Sequence, residues 1–159
     1  MATKRPPPRS RASRAPVDPV EARAVVDAFF DALGHFAGEP PAIEDLMRVL
    51  SPDAEILDGV DGEEHAGDRY ARDDWFAYIE GTSEPELGQF FEEVERTVTD
   101  CSPEIQVRSV VEERVTRGGT VERVDTLRCA LLVSRVGDRA SIVRVRVRRS
   151  SRPPSGAGV

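Results

Sequence analysis

The sequence predicts one domain of the α+β class, with helices in its first half and an antiparallel sheet in its second. Two observations support this fold class. From Ile105 to Arg149, apolar and polar residues alternate with a period of two, as they do along half-buried strands. Between Asp18 and Val94, apolar residues recur at helical spacing in four stretches. Because a sheet with one apolar face must be covered, we expect these helices to pack on it.

The first predicted helix begins at Asp18, which caps it, with Pro19 at the first helical position. Its apolar residues keep helical spacing as far as Phe36, so we expect the helix to end near Gly38. His35 would then lie near the C-terminus of the helix, where the helix dipole stabilises a protonated imidazole. Further helices are predicted over residues 43–50, 72–80 and 87–94, with a strand from Phe90 as the alternative for the last.

The strands are predicted from alternation and from turn residues. A short strand is expected over residues 53–58, and three long strands form a meander after residue 104. Its two hairpin turns are assigned to Gly118-Gly119 and Gly137-Asp138, because glycine tolerates positive φ. In the last strand, three valines are expected on the buried face and three arginines on the wet face: Val143, Val145, Val147, Arg144, Arg146 and Arg148.

Composition limits the function classes. The 159 residues carry a formal charge of -7, although the first 17 residues are basic. We expect residues 1–17 to be a disordered basic tail, residues 18–149 to form the domain, and residues 150–159 to be a second disordered tail. The remaining domain is too acidic for a nucleic-acid partner, and no apolar run is long enough to cross a membrane. With no signal-peptide core, a cytoplasmic location and free thiols at Cys101 and Cys129 are expected.

The element order and three local motifs resemble the nuclear-transport-factor-two-like superfamily, in particular its SnoaL-like polyketide cyclases and ketosteroid isomerases. Residues 50–56 resemble the family's entry from its second helix into its first strand. Residues 67–76 resemble its approach to the third helix, with Ala71 in place of the usual Gly and Trp75 in place of an aliphatic residue. The arginine-rich last strand is the third motif. The resemblance implies a cone-shaped curved sheet wrapped around the N-terminal helices, a pocket at its open end, and homodimers through the sheet.

Three residues are candidates for acid–base chemistry in such a pocket. Asp125 shares its strand phase with Leu127 and therefore points towards the apolar side, where burial would raise its pKa. Its position also comes nearest to the acid–base Asp that SnoaL-like cyclases carry on a meander strand. Arg123 shares the same phase, which indicates either that it neutralises Asp125 or that this strand end is exposed to water. Asp58 ends the first strand, where the resemblance to ketosteroid isomerases implies a base and a plain turn is the alternative. His65, in the polar loop, has a near-neutral pKa.

The ligand is expected to be small and largely apolar. Six residues are predicted to line its pocket: Phe29, Tyr70, Trp75, Tyr78, Leu127 and Leu131. The two histidines and two cysteines lie too far apart in sequence to suggest a metal site, and no cofactor motif is present, so we expect neither metal nor cofactor. Two hypotheses stay open: an acid–base isomerase or cyclase, and a non-catalytic dimerisation or interaction module with a closed pocket.

Overall fold

The long first helix lies on one face of a six-stranded sheet in the computed structural model, which describes residues 15–60 and 67–150. The elements follow in the order α1 (Pro19–Leu33), α2 (Ile43–Val49), β1 (Leu50–Val60), β2 (Asp68–Ala71), α3 (Arg72–Thr82), β3 (Leu87–Cys101), β4 (Glu104–Arg117), β5 (Thr120–Val136) and β6 (Arg139–Ser150). The predicted α+β class, with a curved sheet around N-terminal helices, is confirmed. None of the described helices is long and apolar enough to cross a membrane.

The sheet is mixed rather than wholly antiparallel, which corrects one detail of the prediction. Its strands lie in the order β2-β1-β6-β5-β4-β3, and β1 runs parallel to β6 while every other pair is antiparallel. The predicted meander is confirmed as β4, β5 and β6. Its turns contain Gly118 at φ +59°, Gly119 at φ +82° and Gly137 at φ +62°, where a side chain would be strained.

Helix α1 starts as predicted and ends earlier. The Asp18 side chain accepts a hydrogen bond from the Val20 amide at 2.7 Å, which satisfies an unpaired donor of the first turn. The helix ends at Leu33, so its predicted extension to Phe36 is wrong. His35 instead pairs with Gln89 through two backbone hydrogen bonds of 2.8 Å. His35, which was predicted to lie in the helix, is therefore bound to the edge of the sheet at Gln89.

Strand β3 replaces the predicted fourth helix. Residues 87–94 have helical apolar spacing, but the whole of Leu87–Cys101 pairs antiparallel with β4. A bulge between Glu93 and Glu95 adds one residue, and it leaves Val94 exposed. The pairing with β4 outweighed the local preference, because strand formation depends on partners that local spacing does not describe.

Two further features differ from the prediction: strand β2 was not predicted, and the last residue of the predicted N-terminal tail is buried. β2 is a four-residue strand that pairs with the end of β1, which itself runs two residues beyond the predicted Asp58. Val17, assigned to the tail, is buried, and its amide donates to the Pro103 carbonyl at 2.9 Å. Residues 1–14 and 151–159, which hold the rest of the predicted tails, and His65 lie outside the described residues.

Candidate functional site

A cavity of about 1300 Å³ opens between α1, α3 and the inner face of the sheet. Aromatic side chains form much of its wall. The rings of Phe29 and Trp75 stack with centroids 6.3 Å apart, and those of Tyr70 and Tyr78 stack at 5.3 Å. A concave site with apolar walls and a few polar groups is the usual form of a small-molecule pocket.

The predicted lining residues divide into two groups. Phe29, Tyr70, Trp75, Tyr78 and Leu127 all line the cavity. Leu131 does not line it. Its side chain is 0% exposed, and its strand partners Val107 and Val145 are buried to the same degree. Leu131 shares its face with Leu127 but lies four residues further along β5, within the hydrophobic core.

Asp125 lies on the inner face of β5 and lines the cavity. Alternate residues from Asp125 to Val133 are buried, so the strand keeps the register on which its prediction depended. The carboxylate is 3% exposed and is paired with Arg123, whose Nε lies 2.8 Å from Oδ2. Arg149 Nη1 lies 3.5 Å from the same oxygen. Asp125 is therefore a neutralised member of an ion-pair network.

Glu113 and Arg149 complete this network, and the sequence reasoning missed both. Glu113 is 1% exposed and accepts hydrogen bonds from Gln89 Nε2 and from Arg149 Nη1. It lies directly opposite Asp125 in the pairing of β4 with β5. Burial alone would lower the pKa of Arg149, but the charges of Glu113, Asp58 and Asp125 raise it, so its guanidinium stays charged.

A signal for both residues was present in the sequence. Glu113 has the same strand phase as Val111 and Val115, and Arg149 has the same phase as Val145 and Val147. Period-two alternation therefore pointed both charges inwards. A carboxylate and a guanidinium that share the buried faces of nearby strands indicate an internal ion pair, because neither is stable there alone.

Asp58 also lines the cavity, in surroundings that differ from those of Asp125 and Glu113. It lies within β1, opposite Asp68 of β2 and Val147 of β6, rather than in a turn. None of the side chains within 15–60 and 67–150 forms a hydrogen bond or ion pair with it. Burial raises the pKa of Asp58, the charges of Glu113 and Asp68 add to this, and Arg149 opposes it.

Cys129 also lines the cavity but is not suited to nucleophilic chemistry. Burial raises the pKa of its thiol to about 12, so the reactive thiolate is scarce at neutral pH. Its burial suits a small apolar residue, and both cysteines are free thiols as predicted. Among the residues that the structure describes, no group of three or more His, Cys, Asp or Glu side chains is arranged to hold a metal ion.

Solved structures match the chain, whereas no protein-family model and no curated protein does. An uncharacterised protein with a cystatin-like fold from Caulobacter vibrioides matches at TM-score 0.62 with 14% identity, over 87% of this chain and 92% of that one. A nuclear-transport-factor-two-like protein of unknown function from Pseudomonas putida matches at TM-score 0.60 with 14% identity, over 93% and 92%. A putative calcium/calmodulin-dependent kinase II association domain from Exiguobacterium sibiricum matches at TM-score 0.61 with 14% identity, over 87% and 99%.

Identities this low show a shared fold and leave the narrower SnoaL-like assignment a prediction. The three matches cover 87%, 87% and 93% of this chain and nearly all of each matched protein. The chain therefore has the fold of these cystatin-like and nuclear-transport-factor-two-like proteins.

Proposed function

We propose that the domain binds a small, largely apolar ligand in its cavity and that Asp58 moves a proton on that ligand, as in an isomerase or cyclase. The observation that carries this proposal is a carboxylate of raised pKa, Asp58, which lines a cavity with aromatic walls and pairs with none of the described side chains. A base whose pKa approaches the working pH transfers protons most effectively. Asp125 is less suited to the role because it forms ion pairs with Arg123 and Arg149.

Arg149 is the group best placed to stabilise negative charge that develops on the ligand. Proton abstraction next to a carbonyl creates an oxyanion, which needs a fixed donor. Arg149 uses Nη1 for Glu113 and Asp125, and its remaining N–H groups bond to none of the described residues. Glu113 and Asp125 hold this guanidinium in place, so its orientation costs little when the ligand arrives. Tyr70 is a second donor, because burial and Asp68 raise the pKa of its phenol and keep it protonated.

The binding step can be followed by the fluorescence of Trp75, the single tryptophan of the chain, which lies in the cavity wall. Proton transfer can be followed by NMR as deuterium exchange at the carbon next to the carbonyl of apolar cyclic ketones. We expect Asp58→Asn to slow this exchange by about 10²-fold or more. Asp53→Asn, an exposed carboxylate on the same strand, is the matched control and should leave the rate unchanged. Exchange that is no faster with the wild type than with Asp58→Asn would refute the catalytic role.

A dimer through the outer face of the sheet is the second candidate, and the two roles are compatible. Arg144, Arg146 and Arg148 lie on that face, and none of them forms an ion pair with a described residue. Arg148 also stands directly opposite Arg128, a like-charge pair that disfavours the isolated sheet. A second copy that brought carboxylates to these arginines would relieve this repulsion. Light scattering after gel filtration tests for this dimer, and Arg146→Glu should shift it to a monomer. A wild-type protein that is monomeric at about 100 µM would exclude the dimer.

A further inference from the structure

Two carboxylates face each other at one end of the cavity. Asp58 of β1 and Asp68 of β2 are direct partners in an antiparallel pair, and both line the cavity. Directly opposed residues share a face, with Cβ atoms about 4.5–5.5 Å apart. Within residues 15–60 and 67–150, no basic side chain forms an ion pair with either of them. The pair therefore presents negative charge to the cavity that no close ion pair with a described residue neutralises.

The arginines of the cavity compensate this pair only in part: Arg149 acts on Asp58 without forming an ion pair with it, because it is engaged with other carboxylates. Arg123 and Arg149 are matched by an equal number of carboxylates, those of Glu113 and Asp125, all within 4 Å. At the rim, Arg117 contacts three carboxylates, those of Glu84, Glu86 and Glu122. The lining as a whole is thus negative, and a cleft lined by one sign of charge concentrates ligands of the opposite sign.

Aromatic rings lie beside the carboxylate pair. Tyr70 follows Asp68 by two residues, which places both side chains on the same face of β2. Its ring stacks on Tyr78, and the Phe29–Trp75 stack lies in the same cavity. Ring faces attract organic cations and also bury apolar carbon. Negative charge next to stacked rings matches an ammonium group attached to an apolar body.

We propose that the cavity takes a hydrophobic organic cation, with its ammonium group between Asp58 and Asp68 and its apolar body against the aromatic walls. This inference rests on the proposed ligand-binding function and specifies the charge of the ligand.

The test uses three probes of equal size and different charge: 3-phenylpropylamine, 3-phenylpropan-1-ol and 3-phenylpropanoate. Each is titrated into the full chain at neutral pH and low salt, with calorimetry and Trp75 fluorescence as readouts. The amine should bind about tenfold more tightly than the alcohol, because a charge-assisted contact to a partly buried carboxylate contributes about that factor. The propanoate should bind most weakly, and added salt should weaken only the amine, since salt screens exposed charge.

Variants locate the effect. Asp68→Asn and Asp58→Asn should each reduce the ratio of amine affinity to alcohol affinity to about twofold or less. Asp53→Asn should keep the full preference, and Asp68 is exposed, so its variant is expected to fold. Equal affinity for amine and alcohol, or tighter binding of the propanoate, would overturn the inference alone. Failure of all three probes to bind would overturn the proposed ligand-binding function as well.

Discussion

Replacement of Glu113 by alanine should destabilise the domain strongly, because this carboxylate lies at the centre of the buried ion-pair network. Glu113 is 1% exposed. Its replacement removes the side-chain acceptor of the Gln89 amide and the closest ion-pair partner of Arg149. Arg149 then keeps its ion pair with Asp125, in which Nη1 lies 3.5 Å from Oδ2. Breaking a buried ion pair costs about 3–5 kcal/mol. The Arg149 side chain is 27% exposed to the cavity, where water partly solvates the freed charge. We therefore expect a loss of about 2–3 kcal/mol in the free energy of unfolding.

Urea denaturation followed by far-UV circular dichroism measures this loss as a lower midpoint with an unchanged slope. Glu112→Ala is the matched control. Glu112 directly precedes Glu113 in β4, points to the outer face, and has a side chain that is 37% exposed. It should change the free energy of unfolding by less than about 0.5 kcal/mol. A double-mutant cycle with Arg149→Ala should give a coupling energy of about 1 kcal/mol or more. If Glu113→Ala costs no more than Glu112→Ala, water rather than Arg149 stabilises this carboxylate and the reasoning is refuted.

Three further predictions concern single side chains. Asp58→Asn should raise the free energy of unfolding at pH 7 by a few tenths to about 1 kcal/mol, because it removes the cost of burying a charged carboxylate, to which repulsion from Glu113 and Asp68 adds. Since burial raises the pKa of Asp58 above its ordinary value of 3.8, this advantage should shrink as pH falls through the raised pKa in urea titrations at several pH values. A thiol reagent should modify exposed Cys101 rapidly and buried Cys129 only on unfolding; equal rates in the native protein would contradict the raised thiol pKa. Leu131→Ala should cost about 2–5 kcal/mol by the same denaturation assay, and a cost below 1 kcal/mol would argue against tight packing there.

Local patterns determined much of the fold before any tertiary contact was considered. The start of α1 depends on Asp18 and Pro19, which act within one turn of the chain. The meander depends on period-two alternation and on the glycine turns after β4 and β5, which are equally local. These signals agree with one another, and agreement between local preferences and the global fold is what makes a fold predictable from sequence.

The sequence also determined the inward direction of the buried charges, although only part of that information was used. Asp125 was predicted to face inwards from its phase, and the same reasoning applied to Glu113 and Arg149 would have placed both of them in the interior. What phase cannot supply is the pairing of these charges. Glu113 meets Asp125 because of the register between β4 and β5, and a one-residue shift would turn either side chain to the other face.

Tertiary structure alone decided the region from Leu87 to Cys101, the parallel pairing of β1 with β6, and the environment of Asp58. Residues 87–94 have helical spacing, yet they form a strand because β4 offers an edge along their whole length. Asp58 is a candidate base because the fold buries it near Glu113 and Asp68, which together raise its pKa although Arg149 opposes the rise. Periodicity reports which way a side chain points, but its partners, and hence its charge state, depend on strands that are distant in sequence.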